Sequence, residues 1–192
     1  MLNRQGTGAK FALKTKEDKH MRRTIMIFPE FENSESIDRI RARYDPLAGL
    51  VRPHITLVFP FEGEYGHETI ARVLENRLSH IRPFDISLKG VTGHKDRFGN
   101  HLFLGITKGD KEIREIHDIL YVNEFRHYDL GFGYEPHITV GNLPSKEMLD
   151  EALLQIGDFD EEFNTTVRKI SVEMIGENEE SIIVYEKELE DK

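Results

Sequence analysis

The chain of 192 residues contains no cysteine. A disulfide framework, a thiolate nucleophile and a cysteine-ligated zinc site are therefore all excluded. The sequence also lacks any apolar run close to the 18 residues that a membrane-spanning helix needs. The remaining composition, 38% hydrophobic and 32% charged, is ordinary for a globular protein. We expect a water-soluble protein of the cytoplasm that makes no use of thiol chemistry.

Positive charge is scarce, since 26 Lys and Arg residues stand against 35 Asp and Glu residues, giving a net charge of −9. Affinity for duplex DNA or long RNA comes largely from Lys and Arg side chains that displace counterions from phosphates. The charge therefore argues against an extended grip on duplex DNA or long RNA, and the lack of an apolar run argues against a membrane partner. A small nucleotide or the end of an RNA strand fits better, and nothing in the sequence requires more than a monomer.

The length allows one domain with a proper core, built as two lobes. Residues 1–20 are basic and show no hydrophobic periodicity, and they lack the apolar stretch of a secretory signal. We predict that they form a flexible leader or an extension added by cloning ahead of a natural start at Met21. Residues 21–192 are predicted to form the single bilobal domain.

A pentapeptide recurs almost unchanged, as PHITL at residues 53–57 and as PHITV at residues 136–140. Such a repeat in a chain of this size is typical of a genuine internal duplication. Because side chains alternate along a strand, the first copy places His54 and Thr56 on one face and its aliphatic residues on the opposite, buried face. The second copy does the same with His137 and Thr139.

Two such strands side by side bring two imidazoles and two hydroxyls into one cleft, which suits acid and base chemistry on a phosphodiester. A third His-x-Thr match, at His67 and Thr69, opens a helical pattern, so we interpret it as chance. Two alternatives stay open. The histidines could be structural strand residues satisfied by neighbours, or they could ligate a metal, although no third ligand stands at a supporting spacing.

Hydrophobic periodicity predicts alternating strands and helices. The order is strand, helix, strand, helix, strand, strand, and then helix, strand, helix, strand, strand. This order indicates an α+β fold of two similar lobes of antiparallel sheet, with helices on the outer faces and the active groove between the lobes. A hairpin loop is expected over residues 93–100, and solvated charge over residues 158–162. Strands are predicted at residues 23–28, 54–59, 84–88, 102–106, 137–143, 167–174 and 181–189, and helices at residues 37–44, 70–81, 113–120 and 149–156.

The paired His-x-Thr motifs on strands resemble those of the 2H phosphoesterase superfamily, which includes the 2′-5′ RNA ligase-like proteins and cyclic nucleotide phosphodiesterases. The resemblance implies that His54 and His137 are catalytic and that Thr56 and Thr139 bind the phosphate. It also implies a bilobal fold and no required metal or other cofactor. The activity it implies is hydrolysis of a 2′,3′-cyclic phosphate, a 2′-5′ phosphodiester or a related small cyclic nucleotide phosphate, or the reverse ligation. Which histidine is the base stays open.

Other side chains near the motifs are candidates for substrate contacts. Arg52 could meet a phosphate, while Tyr134 and Phe132 could stack on a base or pack against the edge of a lobe. His94 and His101 flank the predicted hairpin and are more typical of surface residues. A different class of function is a nucleotide-binding or RNA-end-binding module that keeps the fold but has little turnover.

Overall fold

The computed structural model describes residues 21–63, 65–131 and 133–191. The predicted leader and Phe132 lie outside the described residues. None of the described helices is both long enough and apolar enough to cross a membrane. The strands are β1 (Arg22–Ile27), β2 (Ile55–Glu62), β3 (Phe84–Asp96), β4 (Gly99–Lys108), β5 (His137–Leu143), β6 (Glu162–Val167), β7 (Lys169–Ile175) and β8 (Ser181–Glu188), and the helices are α1 (Glu35–Tyr44), α2 (His67–Arg77), α3 (Asp110–Tyr121) and α4 (Lys146–Ile156).

The eight strands form two antiparallel sheets of four strands each. The first sheet has the order β2-β1-β7-β8, and the second has the order β5-β4-β3-β6. Helices α2 and α3 pack against the first sheet, and α1 and α4 pack against the second. The predicted α+β architecture of two antiparallel lobes is therefore confirmed.

Each sheet is built from strands of both halves of the chain. The hairpin of β3 and β4 lies in the second sheet, where β4 pairs with β5. The last two strands, β7 and β8, lie in the first sheet, together with β1 and β2. Helix α1 also belongs to the opposite sheet, where it packs on β5. A Cβ at Gly141 would lie 3.0 Å from the Cβ of Tyr44, so glycine on β5 permits this close approach.

The two motif strands form because their alternate aliphatic side chains are buried, as the sequence pattern predicts. Ile55 and Leu57 on β2 are fully buried, as are Ile138 and Val140 on β5. Burying four such side chains stabilises the fold by roughly 1.5–3 kcal/mol each. The intervening histidines and threonines are only half-buried and are displayed on the opposite face. The core thus fixes which way both motifs point.

The hairpin between β3 and β4 is longer than predicted. Pairing continues out to Asp96 and Gly99, so the loop is only Arg97 and Phe98 rather than residues 93–100. The Asp96 carboxylate accepts hydrogen bonds from the backbone N–H groups of Phe98, at 2.7 Å, and Gly99, at 3.1 Å, which closes the tight turn. The outer part of the hairpin extends beyond the core, and its polar, glycine-rich sequence therefore resembled a loop.

One strand was missed. The strand predicted over residues 167–174 corresponds to β7, whereas β6, which ends at Val167 and belongs to the other sheet, was not predicted. Strand β6 begins at Glu162, inside the segment that was expected to be solvated charge. Its inward side chains are only Phe163 and Val167, so the apolar alternation was too sparse to predict a strand.

Candidate active site

The two motif strands meet at the edges of their sheets. Strand β2 is the outermost strand of the first sheet, β5 is the outermost strand of the second, and the two strands contact each other. The Tyr134 hydroxyl, just ahead of β5, donates a 2.8 Å hydrogen bond to the carbonyl of Thr56 on β2. His117 of α3 donates through Nδ1 to the carbonyl of Leu57 at 2.8 Å. These contacts tie the edges together, and we call this place the motif junction.

The two motif histidines are held in the same way. Nδ1 of His54 lies 2.8 Å from the carbonyl oxygen of Arg52, and Nδ1 of His137 lies 2.7 Å from that of Glu135. A carbonyl oxygen can only accept a hydrogen bond, so each Nδ1 carries the proton. Each Nε2 is then the atom left to take up or give a proton.

The two motif threonines lie beside these rings. Thr56 pairs with Met26 on β1, and Thr139 pairs with Phe103 on β4. Within the part of the chain that the structure describes, neither side-chain hydroxyl makes a hydrogen bond to another protein group. Both hydroxyls are therefore available to a ligand at the junction.

Phe103 of β4 is a part of the site that sequence reasoning missed. Its ring is stacked on His137, with centroids 3.5 Å apart and planes 18° apart. The strand residue directly opposite His137 is Gly105, which has no side chain to compete for this position. Burial, to which the Phe103 ring contributes, lowers the pKa of His137 to about 4. A signal was present, because Phe103 is an aromatic residue on the outward face of an otherwise alternating strand.

His94 and His101 continue this row of rings. Both are stacked against Phe103, at centroid distances of 5.0 Å and 5.7 Å, and both lie near the carboxylate of Asp96, at 3.9 Å and 3.5 Å. Their positive charge, when present, further lowers the pKa of His137. These residues thus border the site, although the sequence favoured a surface position with no such role.

His54 has a different surrounding. The ring of Phe28 is tilted against it, with centroids 5.9 Å apart, and the guanidinium of Arg52 lies over Phe28 at 4.7 Å. Burial is the main reason that the pKa of His54 is lowered, and the charge of Arg41 acts in the same direction. The hydrogen bond to the Arg52 carbonyl and the charge of Asp45 oppose this shift.

Arg41 organises the loop that leads into His54. Its guanidinium is 3% exposed and forms a 2.8 Å ion pair with Asp45. It also donates to the carbonyl of Val51 at 2.8 Å and to that of Leu47 at 3.4 Å. A cavity of about 1,100 Å³ lies beside this network, and none of the four motif residues lines it. The four motif residues therefore lie outside this cavity.

Arg52 and Tyr134, the two described candidates for substrate contacts, lie in different surroundings. Arg52 is exposed next to His54, where it was expected. The Tyr134 ring is stacked on His117 with centroids 3.7 Å apart, and its hydroxyl is bonded to Thr56. This position corresponds to the packing alternative rather than to base stacking. Across residues 21–63, 65–131 and 133–191, no three His, Asp or Glu side chains are grouped so as to hold a metal.

Comparison with known proteins agrees with this architecture. Residues 29–178 match the model of the 2′-5′ RNA ligase superfamily. A Bacillus cereus (strain B4264) protein named "Putative phosphoesterase" is 33% identical over 125 residues, which cover 63% of this chain and 69% of that protein. A similarly named protein of Bacillus mycoides (strain KBAB4) is 30% identical over 122 residues, with the same coverage.

Solved structures share the fold. The crystal structure of E. coli LigT complexed with 3′-AMP has a TM-score of 0.59 at 16% identity, covering 90% of this chain and 99% of that one. The apo form of LigT gives a TM-score of 0.58 at 17% identity, with the same coverage. The fold shared with these structures and the relatives named as phosphoesterases place the chain in a phosphoesterase family. The chain belongs to the 2′-5′ RNA ligase superfamily.

Proposed function

We propose that this protein is a metal-independent phosphodiesterase that uses His54 and His137 as the acid and base pair. Its substrate is a 2′,3′-cyclic phosphate, a 2′-5′ phosphodiester or a related small cyclic nucleotide phosphate. The observation that supports this most is the equivalent setting of the two imidazoles on adjoining edge strands. Each has its Nδ1 anchored to a backbone carbonyl, so that Nε2 is left for the substrate.

The reaction on a 2′,3′-cyclic phosphate needs two proton transfers. The Nε2 of one histidine takes a proton from water as the water oxygen bonds to phosphorus. The bond from phosphorus to one ribose oxygen breaks, and the other histidine gives its Nε2 proton to that oxygen. The product is a nucleoside monophosphate, and the two histidines end with exchanged protonation states.

The threonines stabilise the negative charge that develops on the phosphate. Hydroxyl donors at Thr56 and Thr139 would hold the nonbridging oxygens without adding charge to the site. Ligation uses the same two proton transfers, with a 5′-hydroxyl in place of water: its oxygen bonds to phosphorus, the bond from phosphorus to one ribose oxygen breaks, and that oxygen receives the proton. The strained ring supplies the driving force, and no nucleoside triphosphate is required.

The test is hydrolysis of the four nucleoside 2′,3′-cyclic phosphates and of a 2′-5′-linked oligonucleotide in EDTA, between pH 5 and pH 9. His54→Ala and His137→Ala are compared with the parent and with His127→Ala, an exposed histidine outside the junction. We expect both motif variants to lose at least ~100-fold in kcat, as for removal of a general acid or base, and His127→Ala to keep full activity.

Retained turnover in either motif variant would contradict the two-histidine mechanism. Tight nucleotide binding without turnover in the parent would instead favour a binding module. The proposed partners are small nucleotides or RNA ends rather than duplex DNA or a membrane, and the proposed active unit is a monomer in the cytoplasm.

A further inference from the structure

A second cavity lies beside the motif junction, where the chain crosses from one sheet to the other. It has a volume of about 410 Å³ and is lined from both sheets, by Thr165 on β6, Arg168 at the crossover and Ser171 on β7 among others. This volume is within the range of sites that bind small molecules. We call it the crossover cavity.

The crossover cavity adjoins the His54 side of the junction. Phe28 and Arg52 line it, and both contact His54, the first through its ring and the second through its backbone carbonyl. None of the four motif residues lines the cavity. A ligand held at the motif histidines can therefore extend past Phe28 into this space.

The charge of the cavity differs from that of the acidic chain. Three cations line it, against the two carboxylates of Glu30 and Glu186. Lys169 is engaged by Glu186 and Glu188, each at 3.2 Å. Arg168 has only a 3.8 Å contact with an exposed aspartate, and its side chain is 61% exposed. Arg52 forms no ion pair with any carboxylate of the described residues.

The guanidinium groups of Arg52 and Arg168 line this cavity and suit a phosphate. Arginine binds phosphate oxygens through two parallel N–H donors. Thr166 and Ser171 line the same cavity. The Thr166 hydroxyl already donates its proton to Asp85 at 2.8 Å, and Ser171 is only 2% exposed, so the two arginines are the donors that a phosphate would meet.

We propose that the crossover cavity binds a second phosphate group of the substrate, one nucleotide away from the bond that is broken. This proposal rests on the proposed function of the motif junction. The preferred substrate is then the end of an oligonucleotide or a 5′-phosphorylated nucleotide, rather than a nucleoside cyclic phosphate alone. An internucleotide phosphate and a terminal 5′-phosphate share the chemistry that the arginines recognise.

Three substrates with the same cyclic phosphate distinguish an internucleotide phosphate from a terminal 5′-phosphate. They are adenosine 2′,3′-cyclic phosphate, its 5′-phosphorylated form, and a dinucleotide that ends in adenosine 2′,3′-cyclic phosphate. We expect the parent to show a KM at least about tenfold lower for one or both substrates with a second phosphate, as expected for one charged hydrogen-bonding contact. Whichever of these shows the gain identifies the source of the phosphate.

Arg168→Gln should remove this gain and leave the KM for adenosine 2′,3′-cyclic phosphate unchanged. The matched control is Arg126→Gln, which makes the same change in net charge. Arg126 is near Tyr128, whose ring packs on Phe61 at the opposite end of the first sheet. Equal KM values for the three substrates, or an equal effect of Arg168→Gln on all of them, would overturn the proposal.

Binding keeps this test independent of turnover. Titration calorimetry on the His137→Ala protein compares adenosine 3′-monophosphate with adenosine 3′,5′-bisphosphate. We expect the bisphosphate to bind at least about tenfold more tightly, and Arg168→Gln to abolish the difference. If the parent hydrolyses none of the substrates, the proposed function fails, while this difference still decides whether the cavity binds a second phosphate.

Discussion

Phe103 lies flat against His137, with ring centroids 3.5 Å apart, and so restricts one of the two histidines that are proposed to move protons. The other motif histidine has only a tilted contact, with Phe28. The two imidazoles thus share their backbone anchors but differ in how tightly their rings are packed. This difference makes Phe103 the most informative residue to change outside the motifs.

Phe103→Ala should lower kcat and raise the pKa of His137 from about 4 toward its ordinary value, because the ring loses part of its burial. NMR titration of the His137 ring measures the pKa directly. Phe98→Ala, at the tip of the same hairpin, is the control and should leave both quantities unchanged. An unaltered His137 pKa in Phe103→Ala would show that Phe103 has no part in setting it.

The rate should respond to pH in a way that depends on substrate binding. Burial is the largest cause of the lowered pKa of both His54 and His137 in the free protein. We expect kcat/KM to reach its maximum below pH 6.5, because that profile reports the free enzyme. A bound phosphate is negatively charged and raises both pKa values, so the kcat profile should be displaced to higher pH. Identical profiles for kcat and kcat/KM would contradict this expectation.

The free energy of unfolding should depend on pH through His137. The pKa of His137 is about 4 in the folded state and close to 6.5 in the unfolded state. The unfolded chain therefore binds a proton that the folded protein does not, and stability falls as the pH drops from about 6.5 toward 4. The upper limit of this loss is about 3 kcal/mol.

His137→Asn removes this titration. Urea unfolding at pH 7.5 and pH 4.5 should show a smaller loss of unfolding free energy in the variant than in the parent. An equal loss in both proteins would mean that protonation of other groups, such as carboxylates, accounts for the whole effect.

Arg41 is expected to act on His54 through the loop between them. Arg41→Lys keeps the charge opposite Asp45 but cannot also donate to the carbonyls of Val51 and Leu47, so we expect lower stability, by about 1–3 kcal/mol, and a lower kcat with little change in KM. Unfolding measurements and steady-state kinetics below the melting temperature separate the two effects. Arg39→Lys, on the same helix, is the matched control and should change neither. A normal kcat in a destabilised Arg41→Lys protein would restrict this arginine to a structural role.

The sequence predicted the motif strands and their faces well, because alternation over Ile55 and Leu57 is a local pattern that burial then enforces. It could not predict the stack of Phe103 on His137, since that contact depends on how β4 and β5 pair. The short strand β6 was missed for a related reason, because its place is set by pairing with β3. Local periodicity indicates elements and faces, whereas the site also depends on neighbours distant in the chain.

The return of β7 and β8 to the first sheet has a consequence for synthesis on the ribosome. Strand β2, which directly follows His54, is made early, but the ribbon that it forms with β1 gains no third strand until β7 emerges and pairs with β1. A two-stranded ribbon is marginally stable in water. The first motif therefore has no firm support until nearly the whole domain has left the exit tunnel. A nascent chain of which only the residues before Lys169 have left the tunnel should hold a paired second sheet, but its first motif should lack the support of a completed first sheet.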